Sequence, residues 1–213
     1  MKIILNESQY RRLLNEDTLG IDEFIGKIIS KHPELEEHSD YLKTTIMASG
    51  VQAISFEELK AGVGGISLHD KVIINSYNLK YHISDLFYII FHELGHQYQF
   101  KKYGHEKMYG VFKNDAHILR SIDWLRETEK VADQYGMRKT RELYNRGILS
   151  SEPTRKEGSY DKFTDHMFYE YVIKLKHLIG DVANTDPMRA SELLYNWVIN
   201  NKEVKLTPLL KTL

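Results

Sequence analysis

Two histidines four residues apart, with a glutamate directly after the first, form the stretch of this chain best suited to chemistry: His92-Glu93-Leu94-Gly95-His96. The flanking residues, Leu86 to Phe91 before and Gln97 to Phe100 after, are apolar enough for a helix that packs. On an α-helix, residues four apart lie one above the other, so both imidazoles can grip one metal ion. Glu93 then sits about 100° round the helix, beside the ion's open position. That geometry suits a metal that activates water, with a carboxylate at hand to take the proton. Isolated histidines on a helix more often pack or face solvent, so the reading needs a further ligand.

A catalytic zinc takes three protein ligands and leaves a fourth position to water. The chain has no cysteine, so a zinc here must use imidazole and carboxylate. Downstream candidates are His105, His117, Asp123, Glu127, Glu129 and Asp133. Glu129 and Asp133 stand four apart, with the small Ala132 and Gly136 nearby, which places both carboxylates on one helix face. One can bind the metal while the other accepts the N–H of a ligating imidazole; Glu129 is read as the ligand and Asp133 as its support. The plainer account of Glu127, Glu129, Lys130 and Asp133 is a solvated face laced with i,i+4 pairs, and only the upstream motif outweighs it.

The elements that must hold these groups follow from periodicity. Residues 3–5 read as a short strand and Asn6 as the cap of a helix, a possible N-terminal appendage over residues 1–18. Residues 19–213 read as a single domain. Ile21, Phe24, Ile25 and Ile28 mark an amphipathic helix that Pro33 breaks, and Asp40 to Ser49 a second one ending at Gly50. Val51 to Phe56 is a strand, Glu57 to Ala61 a helical turn, and Ile66–Leu68 with Val72–Ile74 two short strands around His69-Asp70. The motif helix runs from about Ile83 to Lys102 and closes at Gly104. Tyr103 to Asn114, rich in lysine, reads as a solvated loop. A long helix spans His117 to Arg146, Ser150 to Ser159 is a loop, and helices over Phe163–Ile179 and Pro187–Asn200 finish the chain. The class is α+β: mainly helical, with a small mixed sheet beside the motif helix.

Composition narrows the function. With 213 residues the chain is long enough for a proper core, and 42% hydrophobic and 28% charged residues are ordinary for a soluble globular protein. A net charge of −1 gives no basic field to draw in nucleic acid or a membrane surface. The three apolar residues Ile3 to Leu5 are too few for a signal-peptide core, and Leu86 to Phe91 is far too short to span a bilayer. A cytoplasmic location is expected, or the host cytoplasm if the chain is phage-encoded.

His92 to His96, followed by Glu129-x-x-Ala132-Asp133-x-Tyr135-Gly136, resembles the gluzincin metallopeptidases, of which thermolysin is the best known. The likeness is closer to the minimal HELGH peptidases of phages and mobile elements that cleave repressors, in which a strand ending in Ile-Asn (here Ile74-Asn75) precedes the motif helix. It covers about residues 50 to 145. A metzincin pattern fails at Gln99 and Lys102, and a SprT-like one would need His105 as its third histidine, without the usual continuation. The resemblance implies a zincin-like fold and Zn2+ held by His92, His96 and Glu129. It also implies peptide-bond hydrolysis with Glu93 as general base, and a protein or peptide substrate laid along a sheet edge, either Ile66–Leu68 or Val72–Asn75. Related enzymes often take an oxyanion donor from beyond the glutamate ligand; of Tyr160, His166 and Tyr169, His166 ranks first here and Tyr160 second, with Tyr169, beside Phe168 and Tyr171, read as packing. The competing reading is a zinc-holding binding or structural protein of phage or virion type on the same fold, to which Glu93 would be superfluous.

Overall fold

The computed structural model describes residues 20–60, 62–69, 71–154, 165–183 and 185–199. The expected strand and helix in residues 3–14, the appendage over 1–18 and Tyr160 lie outside the described residues. The fold is α+β, mostly helical with one small mixed sheet.

Helix α1 (Ile21–Ile29) buries Phe24, Ile25 and Ile28, the stripe that its 3.6-residue spacing dictates. Pro33 opens a short 3-10 helix to His38, after which α2 (Ser39–Met47) buries Leu42 and Ile46. Strands β1 (Ala53–Glu57), β2 (Gly65–Ser67) and β3 (Lys71–Asn75) form the sheet, in the order β1-β3-β2. Glu57, expected to begin a helical turn, is the last residue of β1. β1 runs parallel to β3, with Ile54 opposite Val72, and β2 runs antiparallel to it, with Ile66 opposite Ile73. β3 is therefore central and β2 is an edge.

Alternation along β3 sends its side chains to opposite faces, where they join two different cores. Val72 and Ile74 pack with α1, α2 and β1, where Phe24 stacks on Phe56 at 4.4 Å between ring centroids. Ile73 packs instead with the C-terminal helices α6 (Asp165–Ile179) and α7 (Pro187–Ile199), through Val172, Ile179 and Leu194. The lysine-rich Tyr103–Asn114 stretch, expected to be a solvated loop, contains helix α4 (His105–Gly110) and sends Met108, Tyr109 and Phe112 into this second core. Its lysines hid an apolar spacing of one helical turn.

Two long helices run through both cores: α3 (Ile83–Tyr103) and α5 (Ile118–Asn145). They cross at near backbone contact. A Cβ on Gly95 would come within 2.9 Å of Ala132 Cα, and one on Gly136 within 3.0 Å of His92 N and Tyr88 O. Gly104, at φ 75°, ends α3. Ser84 Oγ donates to Ser151 O (2.6 Å), and Thr154 N and Oγ1 donate to Asp85 at 2.8 Å each, which ties the chain after α5 back to the start of α3. Among the described residues no helix is long and apolar enough to cross a membrane.

Candidate metal centre

At this crossing the side chains of His92, His96 and Glu129 converge. Their potential ligand atoms all lie within 4.8 Å of one another, and among the described residues they are the one such group of three. Glu129 faces both imidazoles, Oε2 at 3.3 Å from His92 Nε2 and Oε1 at 3.5 Å from His96 Nε2. Two imidazole nitrogens and a carboxylate aimed at one point are a donor set for a divalent metal ion, so this group could hold one.

The charges of the site are strongly coupled. Burial would raise the Glu129 carboxyl, but the imidazoles of His96 and His92 outweigh it and hold it down at about 2. Burial works against a charge on His92, yet the hydrogen bond and charge of Glu129, helped by Glu93 and Asp133, raise its pKa. His96 goes the other way: burial lowers it, and Glu129 does not compensate.

His96 is held by a chain of hydrogen bonds that sequence reasoning missed. Gln99, 1% exposed, donates from Nε2 to the Thr128 carbonyl of α5 (2.8 Å). A carbonyl only accepts, so the amide's other end, Oε1, must face His96 Nδ1 at 3.3 Å. Nδ1 then carries the proton and Nε2 keeps its lone pair for a metal. A neutral glutamine three residues after the motif raises no flag in a sequence scan. The role sought for Asp133 is not the one it plays: it accepts the Tyr88 hydroxyl, and buried His92 Nδ1 has no hydrogen-bond partner. Asp133 acts on His92 through its charge alone.

Glu93 lies beside the triad, only 8% exposed. Burial, reinforced by Glu129 and partly offset by His92, pushes its carboxyl up to about 7. It rests on the first residue of β2, where a Cβ on Gly65 would come within 2.7 Å of Glu93 Cγ. A cavity of about 500 Å3 opens from the triad towards the second core, walled by Phe100, Met108, Phe112, Leu125 and Phe168, with the Gly62–Ser67 stretch along its mouth.

Of the residues put forward as oxyanion donors, Tyr160 lies outside the described residues. His166 does not line the cavity: its side chain is 78% exposed and pairs with Glu170 at 3.4 Å. Among the α6 residues that do line it, Tyr171 carries the one hydroxyl. Tyr171 is 39% exposed as a residue, yet desolvation, with the charges of Glu129 and Glu93, raises the pKa of its hydroxyl. The signal was the Phe168, Tyr171, Leu175 stripe, one face of α6 with a single hydroxyl in it. His105 packs edge-on to His69, 5.3 Å between centroids, and is not part of the triad. No family model, no curated protein and no solved structure matches the chain.

Proposed function

We propose that this chain is a zinc-dependent metallopeptidase of the gluzincin kind, and that His92, His96 and Glu129 hold its zinc. The observation that carries the reading is the pairing of this triad with a buried carboxyl whose pKa stands near 7. A purely structural metal site has no use for a buried Glu93 beside its ligands, whereas a general base needs a pKa close to the working pH.

Zinc, when bound there, supplies Lewis acidity, polarising the scissile carbonyl and making water nucleophilic at neutral pH. Glu93 takes the proton of the attacking water and passes it to the leaving amine nitrogen. Gln99 fixes which nitrogen of His96 faces the ion, so no rotation of the ring is needed on binding. Tyr171, kept protonated, is the neutral donor placed to receive the charge that develops on the carbonyl oxygen. β3 is central and paired on both sides, so of the two strands put forward only β2, an edge of the sheet whose first residue Glu93 rests against, can receive a substrate strand. The neighbouring apolar cavity takes a large apolar side chain of that strand.

Elemental analysis of chain purified without chelator tests the metal: one zinc per molecule is expected, lost in His96→Ala. Glu93→Gln keeps the zinc and loses about 10²- to 10⁴-fold in turnover of any cleaved peptide. A chain without zinc, or a Glu93→Gln variant as active as its parent, refutes the proposal.

A further inference from the structure

The wall of the cavity carries a cationic group that the chemistry above does not use. Lys174 lines the cavity one turn beyond Tyr171 on α6. Lys60, on the stretch leading from β1 to β2, is pinned by its own N–H, which donates to Val198 O of α7 at 2.9 Å. Its Nζ sits 3.4 Å above the Trp197 ring, whose other neighbour is Tyr171 at 5.9 Å between centroids. Trp197 thus joins Lys60 to the cavity wall. The two ammonium groups are close enough for Lys174, after burial, to lower the pKa of Lys60. Among the described residues no carboxylate lies within ion-pairing distance of either lysine; Glu170, which lines the cavity one turn before Lys174, pairs with His166 instead. Lys174 on the cavity wall and Lys60 behind Trp197, neither held in an ion pair among the described residues, are placed for an anion brought by the ligand.

The sheet says where that anion falls. β2 runs from Gly65 to Ser67, so a peptide added antiparallel to it points its C-terminal end towards Gly64 and the stretch that carries Lys60. Glu93 rests on Gly65, which places the scissile bond near that end of the strand. Residues after the scissile bond then run towards the lysines. We infer that the site prefers peptides with a carboxylate on the C-terminal side of the scissile bond, received by Lys174 and Lys60. This inference rests on the peptidase reading for its frame, and its test is a binding measurement that does not need turnover.

The carboxylate comes either from an Asp or Glu side chain or from the chain terminus, so three labelled peptides of one core sequence are needed. One carries Glu and a C-terminal amide, one Gln and a free C-terminus, and one Gln and an amide. Fluorescence anisotropy with the full zinc-loaded Glu93→Gln chain should show at least one carboxylate peptide binding about ten-fold or more tighter than the neutral one. The tighter of the two identifies the source. The preference should shrink with added salt, vanish in Lys174→Ala and survive in Lys174→Arg. Equal affinity for all three peptides, binding of none, or a preference intact in both Lys174→Ala and Lys60→Ala overturns the inference. Zinc content and cleavage by the unmodified chain are measured separately, so failure of the peptidase reading is seen on its own.

Discussion

Replacing Gln99 by methionine removes two hydrogen bonds at nearly constant volume and leaves the apolar contacts of a 1% exposed side chain in place. Thr128 O keeps its helical partner on α5, so the larger loss is at His96 Nδ1, left buried with an unmatched proton. An unsatisfied buried donor costs about 1–3 kcal/mol, which for a chain of this size lowers the melting temperature by roughly 2–10 °C. Zinc affinity falls further, because the imidazole is no longer held in one tautomer. Loss of such a supporting bond weakens metal binding about 10- to 100-fold. Gln99→Glu separates the two bonds: its carboxylate still accepts from Nδ1 but cannot donate to Thr128 O, so stability falls while zinc affinity is kept. The assay is competition against a chromophoric chelator for affinity, with thermal unfolding of chelator-treated protein for stability. If the methionine variant binds zinc as tightly as its parent, the hydrogen-bond chain does not position His96.

Three further outcomes follow from the same geometry. Glu93 holds its proton more tightly in the folded chain, at about 7 against an ordinary 4.5, so in chelator-treated protein its cost is absent below about pH 4.5 and complete above about pH 7. Glu93→Gln should then be more stable than its parent by about 3 kcal/mol at most near pH 8 and equal to it near pH 4; parallel melting curves at both pH values would rule this out. Tyr171→Phe should lower kcat with zinc content unchanged, and His166→Ala should change neither; the reverse pattern would return the donor role to His166. Gly65→Ala should displace the Glu93 carboxylate and depress turnover while zinc stays bound, whereas Ile66→Ala, one residue on, should alter turnover far less.

The convergence of His92, His96 and Glu129 was legible in the sequence because both its parts obey a local rule: residues four apart on a helix share a face, and Glu129 heads a second such pair. The edge strand was not, since Ile66–Leu68 and Val72–Asn75 are equally short and apolar, and which of them is central depends on β1 pairing with β3 across the chain. The α4 segment was misread for a compositional reason, the polar run from Lys101 to Lys107 and Lys113 masking the buried Met108, Tyr109 and Phe112. Tyr171 was passed over as a neighbour of Tyr169 because nothing local sets it apart: its ring meets Trp197, and only the fold brings it near enough to Glu129 and Glu93 to feel their charge. The raised pKa of Glu93 comes from burial, which no spacing rule encodes.

The contact of Gly95 and Gly136 with the facing backbone has an evolutionary consequence. The separation between the histidine helix and the glutamate helix is set where main chain meets main chain, with no side chain as a spacer. Core residues of either cluster can then drift in size, and the neighbouring helices adjust, without changing how far Glu129 stands from His92 and His96. A single methyl group at position 95 or 136 does change it. The ligand geometry is thus insulated from most substitutions and exposed to very few, so descendants of this chain should vary freely in their cores while these two glycines stay fixed.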